Sequence, residues 1–425
     1  MQLTVEQQAL LNGEKGEALQ KVMKTLVMYG ETFGATHMVP VTSTYGHLVT
    51  SIGISVMKPV FSLMQQLIDG GALSSQAFSV DPRPLDPNVP QNALQKLVFQ
   101  VMYSKQASYE EQLATLGLLN SSAFTCTCYM DEVGNIPNEG DVLSWAESSA
   151  VVYANSVLGA RCNRNSGIIE LFGSIVGCVP YFGLLTDEGR KAAWLIEVNT
   201  DTLPEAQVLG SAIGIRVMED VPYIVGLDRF FPDGLTEQAK AYLKDLGAAT
   251  ASNGAVGLYH IEGLTPDAKR EGRALLRPDA KRYTVDDAEL ARVRQSYPCI
   301  WKDPAASPKL CFVGCPHLSM AQLKDWTARL LQGLQAANRK KPLIPTVFTA
   351  APAVRKAFEQ TPEYAQLKAA GVVVSDICPL MYMNNPLCAK MPVVTNSNKL
   401  RTYTSARYHT DEEILKLLTK GGARA

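Results

Sequence analysis

The chain lacks any apolar run long enough to cross a membrane as a continuous helix. Its longest, Leu171 to Leu185, is broken by Gly173, Gly177, Pro180 and Gly183, whereas a span needs about 20 apolar residues. A surplus of either charge is also missing. The 40 Lys and Arg nearly cancel the 41 Asp and Glu, so no basic stripe points to nucleic acid. The first residues, Met-Gln-Leu-Thr-Val-Glu-Gln, have neither the basic nor the apolar region of a secretion signal, and a cytoplasmic location is expected. The nine cysteines are odd in number and scattered. They do not form the even framework of a disulfide-stapled domain, and the expectation is reduced thiols. What remains is an ordinary soluble composition, 46% hydrophobic and 19% charged over 425 residues, long enough for two or three domains.

Three of the cysteines stand apart from the rest. Cys126 lies in Thr125-Cys-Thr-Cys-Tyr129, Cys315 in Gly314-Cys-Pro-His-Leu-Ser319 and Cys378 in Ser375-Asp-Ile-Cys-Pro379. Gly, Pro, Ser and Thr beside each one indicate turns, where a thiolate is free to face a site. Three thiolates on an iron-sulfur cluster leave one iron open to a substrate oxygen, as a Lewis acid. Cys178, Cys299, Cys311 and Cys388 sit in apolar or ordinary surroundings and read as small hydrophobes. Two rival readings use the same thiols: a non-catalytic iron-sulfur subunit, and a zinc protein with Cys128 as fourth ligand.

Along the chain, Thr4 and Gln7 form a capping box for a helix over 4–29, with Gly13 and Gly16 as breaks. A short strand is expected at 36–42 and a helix at 54–69. The prolines of 81–92 mark a loop, followed by a helix over 93–117. The small residues of 144–161 predict one closely packed helix that places Glu147 and Arg161 on a shared face about four turns apart. From about residue 190 short apolar runs at 194–198, 221–225, 255–260, 310–313, 342–348 and 371–375 alternate with helices, including one over 352–369. That is an α/β pattern with buried parallel strands. The charged stretch 266–294 reads as an outer face. In such sheets ligands collect beyond the carboxyl ends of strands, where Cys315 and Cys378 both fall.

Taken in order, the opening Leu3 to Ala18, the Thr-Cys-Thr around Cys126, the Glu147 to Arg164 segment, Gly314-Cys-Pro-His-Leu-Ser319 and Thr395-Asn-Ser-x-Lys399 resemble the aconitase X family over nearly the whole chain. The resemblance implies a three-domain aconitase-like α/β core with parallel or mixed sheets around an iron-sulfur site. The expected domains are 1–190, 191–295 and 296–425. A fourth, small swivelling domain carries a serine that acts in catalysis, either fused or as a separate subunit. Residues 404–425 are too few for it, so a separate small swivel-domain subunit is expected as partner.

The same resemblance implies roles for individual residues. Cys126, Cys315 and Cys378 would be the metal ligands. Glu147, Ser148 and Lys399 would be catalytic, while Ser149, Asn155, Arg161, His317, Asn396 and Ser397 would bind substrate, with Arg161 suited to a bidentate carboxylate. His37, His47, His260 and His409 read as structural. The sequence departs from the family pattern at Cys128, Cys162 and His47. The implied activity is that of a hydro-lyase acting on a small hydroxy acid. The leading substrate is cis-3-hydroxy-L-proline, ahead of mevalonate 5-phosphate.

Overall fold

A computed structural model describes residues 1–49 and 53–421. Two fully parallel sheets dominate the second half. One orders the strands His260–Ile261, Pro222–Val225, Ala192–Asn199 and Leu276–Asp286. The other orders Val373–Ser375, Thr346–Ala350, Leu310–Leu318, Val393–Thr395 and Arg407–Tyr408. Every residue of Leu310–Leu318 is buried, as expected for a central parallel strand covered by helices on both faces.

The first half holds a smaller parallel unit. Gly46–Leu48 pairs with Phe78–Val80, and single bridges extend it to Trp145 on one side and to Leu118 and Phe124 on the other. A separate antiparallel pair joins Met38–Pro40 to Cys178–Pro180. The architecture is thus α/β with mainly parallel sheets. Among the described residues no helix is long and apolar enough to cross a membrane.

Local signals explain most of these elements. Thr4 accepts from the Gln7 N–H and Gln7 answers in a full capping box, and the glycines split the first helix into Val5–Leu11 and Glu17–Thr32. Four expectations need correction. The helix over 93–117 is two, Ala93–Met102 and Gln106–Leu116, because Tyr103 leaves helical geometry to pack its ring on Phe99. The helix over 352–369 is also two, since Pro362 starts a new one capped by Thr361. The charged stretch 266–294 contains the strand Leu276–Asp286, an edge strand with mostly exposed side chains.

The fourth correction concerns 144–161. Its helix is only Ser148–Ser156, with Glu147 as N-cap. The chain then turns through Gly159, at a left-handed φ of 72°, and Arg161 emerges in an extended bridge to Val142. Glu147 and Arg161 share no helical face. The small residues do permit close packing, though. At Gly247, on the helix Glu237–Asn253, an added Cβ would come within 3.1 Å of Val152 Cγ1, a tight fit.

Candidate functional site

The two parallel units bring their carboxyl ends together. In the first unit the segments ending at Trp145, Leu48, Val80 and Phe124 lie side by side. Just beyond three of these ends come Glu147, Asp81 and Cys126, and His47 sits within the fourth. In the five-stranded sheet, Cys378 follows Val373–Ser375, and Asn396 to Lys399 follow Val393–Thr395. Cys315 lies inside the span Leu310–Leu318 rather than after it. There Gly314 takes a φ of 104° and the register with Thr346–Ala350 jumps. A side chain at 314 would strike the Thr349 carbonyl oxygen at 2.6 Å, so glycine is required to present Cys315.

One histidine gathers the three cysteine loops. His317 Nδ1 lies 3.1 Å from Thr125 Oγ1, beside Cys126, and Nε2 lies 3.2 Å from the Ile377 carbonyl, beside Cys378. A carbonyl can only accept, so Nε2 carries the proton and Nδ1 receives the threonine hydroxyl. Burial holds this imidazole neutral, lowering its pKa to about 4 against the pull of the Ile377 carbonyl. Behind it, Lys244 of the helix Glu237–Asn253 donates to the His317 carbonyl at 3.1 Å and to Asp245 at 2.9 Å. The middle region thereby braces the Cys315 loop.

The thiols share one electrostatic neighbourhood. Burial raises all three, and Cys126 and Cys378 are each raised further by Cys315. Cys315 is buried, whereas Cys126 and Cys378 are partly exposed, so the set opens on one side. Cys128 is not part of it: its thiol is buried and its side-chain partner is Ser79. Among the described residues no three His, Cys, Asp or Glu side chains stand close enough to grip a single metal ion. The zinc reading, which needs ligand atoms about 2.3 Å from one centre, has no support here.

Beside the thiols lies a buried ion pair. Lys399 Nζ donates to Glu147 Oε1 and, at 2.6 Å, to Ser149 Oγ. Both charged residues are under a tenth exposed. Burial alone would discharge the ammonium, but Glu147 and the nearby Cys126 and Cys315 raise its pKa instead. Burial likewise opposes the Glu147 carboxylate, yet Lys399 and the Ala150 N–H at 2.7 Å lower its pKa. Ser397 caps the helix that carries Lys399 and donates to the Cys315 carbonyl.

The remaining residues expected at the site are spread more widely. Ser148 is half-buried in the first position of its helix. Asn396 donates to Asp411 at 2.8 Å. Asn155 braces a turn, donating to the Cys162 and Gly257 carbonyls and accepting from the Cys162 N–H. Arg161 donates to the Leu185 carbonyl at 2.8 Å and to Asp187 at 2.6 Å, with Asp187 83% exposed. The structure does not bring Asn155 or Arg161 to the thiols, and the guanidinium expected to grip a carboxylate is spent at the surface.

Two other groups lie at this end of the sheets: His47, which the sequence reading takes as structural, and Asp81, which it passes over. His47, buried, faces Ser79 through Nδ1 at 2.9 Å, and its Nε2 has no partner among the described residues. Burial lowers its pKa to about 4 although Glu147 opposes this. Asp81 has a buried Oδ1 with no partner among the described residues, and burial with the nearby Glu147 pushes its carboxyl up to about 8.

Family models match the chain in three consecutive blocks: the aconitase X first domain over residues 1–188, the second over 192–295 and the third over 308–418. The chain belongs to the aconitase X family. A crystal structure of Thermococcus kodakaraensis aconitase X in its holo form superposes with a TM-score of 0.79 at 29% identity, covering 98% of this chain and all of that one. The phosphomevalonate dehydratase large subunit of Thermococcus kodakarensis is 33% identical over 95% of each chain. The cis-3-hydroxy-L-proline dehydratase of Pseudomonas aeruginosa is 28% identical over 93% of this chain, which spans 65% of that longer protein. As an aconitase X protein, the chain is an enzyme of the hydro-lyase class, a dehydratase.

Proposed function

We propose that this chain is the cluster-bearing large subunit of a dehydratase acting on a small hydroxycarboxylic acid, with cis-3-hydroxy-L-proline the leading substrate. The observation that carries the reading is the gathering of the Cys126, Cys315 and Cys378 loops around His317, beside the Glu147–Lys399 pair. Three thiols on loops that His317 joins, two of them partly exposed, form a donor set of the kind that an iron-sulfur cluster takes. Such a cluster, when bound, supplies a Lewis acid for the departing hydroxyl.

The chain's own groups do the rest. Lys399 is a fixed positive charge, suited to the negative charge that develops as a carbon acid beside a carboxylate loses its proton. Glu147 keeps it ionised, and Ser149 sets its direction. With its pKa raised, Lys399 is a poor base, so the proton acceptor comes from elsewhere. The serine of a small swivel subunit is our assignment. A partner is also supported by the relatives named large subunit. A row of exposed apolar side chains, Leu94, Leu97 and Val101, lies on the helix after the 81–92 loop, with Val56 exposed nearby. Nine unpaired cysteines suit a reducing compartment, and we assign the cytoplasm.

Mevalonate 5-phosphate is the second reading, favoured by the five relatives of that name at 28–33% identity. The test is anaerobic iron loading of the chain with its small subunit, followed by assay on both substrates. Visible charge-transfer absorption, lost in Cys126→Ser, Cys315→Ser and Cys378→Ser but kept in Cys299→Ser, is expected together with dehydration of one substrate. Cluster retention in all three serine variants, or full turnover by the isolated chain, would sink the reading.

A further inference from the structure

Asp81, whose Oδ1 has no partner among the described residues, belongs to neither the thiols nor the ion pair. Along a strand, side chains alternate between faces, so Asp81 returns to the side of the sheet on which Ser79 meets His47. It stands one residue beyond Val80, at the carboxyl end where parallel sheets receive ligands. Its backbone is fixed by donation to the Leu48 carbonyl at 3.3 Å. Its charge is felt by Cys378, and it in turn feels Glu147 and Lys399. The carboxyl therefore borders the same space as the thiols and the ion pair. Asp81 itself is partly exposed, but Oδ1 is buried and has no partner among the described residues. A buried polar atom left unpaired costs roughly 1–3 kcal/mol, and a position where a ligand completes the bond accounts for it.

The neighbouring charges decide which ligand. Lys399 is taken by Glu147 and Ser149. Arg83, two residues on, is held in a two-pronged bond to Glu110 at 2.9 and 3.0 Å and lies over the Phe124 ring. Two carboxyl groups, Asp81 and Glu147, thus face the space against one ammonium that is already paired. A phosphate brought there finds both nearby cations already paired, whereas a protonated amine draws the Asp81 carboxyl, largely protonated while alone, into its ionised form and completes an ion pair.

We infer that Asp81 receives the protonated nitrogen of the substrate and selects a cyclic amino acid over a phosphorylated hydroxy acid. This rests on the dehydratase reading for its context but is tested apart from it. The probes are L-proline and tetrahydrofuran-2-carboxylate, which share a ring and a carboxylate but differ in the cationic nitrogen. Their binding to the iron-loaded complex is measured by calorimetry for the native protein and for Asp81→Asn, with the melting temperature and iron content of each recorded. The native protein is expected to prefer L-proline by about tenfold or more, the worth of one well-placed charge pair of about 1.4 kcal/mol. Asp81→Asn is expected to lose that preference while keeping its iron and its fold. Asp81→Ser serves as the second variant should the amide alter folding.

A native protein that does not distinguish the two probes, or an Asp81→Asn variant that keeps the preference, overturns the inference. Preference for L-proline without turnover of either hydroxy acid leaves Asp81 as assigned and removes the substrate reading instead. Turnover of cis-3-hydroxy-L-proline with an unchanged KM in Asp81→Asn does the reverse.

Discussion

Two ion pairs tie together the segments around Glu147 and Arg161, and they differ in almost every physical respect. The Lys399–Glu147 pair joins positions 252 apart, is nearly excluded from water and has a third partner in Ser149. The Arg161–Asp187 pair joins positions 26 apart, and its carboxylate stands in solvent. Sequence alone offers both as a charged residue among small polar neighbours. What separates them is whether two sheets converge on the residue. A charge carried to the meeting of two parallel sheets must be matched there, and it then holds those sheets in place. A charge at the rim is matched by water just as well.

The comparison breaks most visibly at Lys399. Lys399→Met leaves Glu147 buried without its cation, and the expected loss of stability is about 3–5 kcal/mol by denaturant unfolding, with activity abolished. Adding Glu147→Gln should restore much of the stability and none of the activity. If the single variant is as stable as the native chain, the inner pair is no different from the outer one. Next in size is His317→Leu, which leaves Thr125 and the Ile377 carbonyl without their partner. A loss of about 1–3 kcal/mol is expected, together with reduced iron retention measured per chain. Unchanged iron content would show that the cysteine loops gather without it.

Glu170 sharpens the contrast from another direction. It is as buried as Glu147 but has only neutral partners, Ser144 and Asn165, each at 2.7 Å. Burial without a cation pushes its carboxyl up to about 8, while Lys399 pulls Glu147 down. Between pH 4.5 and 8 the folded chain holds a proton on Glu170 that the unfolded chain releases, so this group's contribution to stability falls as pH rises through that window. Glu170→Gln should flatten the decline in melting temperature over that range, and an unaltered slope would contradict the assignment. The smallest effect belongs to Arg161→Lys. An exposed pair is worth about 0–1 kcal/mol, and kcat/KM should stay within about twofold of the native value. A large fall in turnover would return Arg161 to the site.

The cysteine loops were legible because each combined a thiol with turn-forming neighbours, and the alternation after residue 190 gave the α/β class. The Thr395 to Lys399 segment was recognised through resemblance, but nothing in it announced a partner as distant as Glu147. Arg161 was misplaced because a stretch dominated by small residues carries no stop signal except Gly159, and a four-turn helix fitted the spacing. Asp81 was passed over for the opposite reason. Pro82, Pro84 and Pro87 marked its surroundings as a loop, and periodicity says nothing about which loop residue faces inward. Such information resides in strand pairing, here Phe78–Val80 between Gly46–Leu48 and Phe124, which joins segments far apart in the chain.

The clasp formed by His317 bears on how the protein would take up the proposed cluster. Thr125 and His317 are 192 positions apart, and His317 and Ile377 are 60 apart. Closing loops of that length is an entropic cost that grows only slowly with length but must be met once. Here folding meets it, through side-chain and backbone hydrogen bonds that involve no sulfur. A zinc finger has no such advance closure and collapses when its ion is withdrawn. On the proposed cluster reading, assembly and metal loading would be separate events, so stripped protein should remain a folded receptacle that can be emptied and refilled.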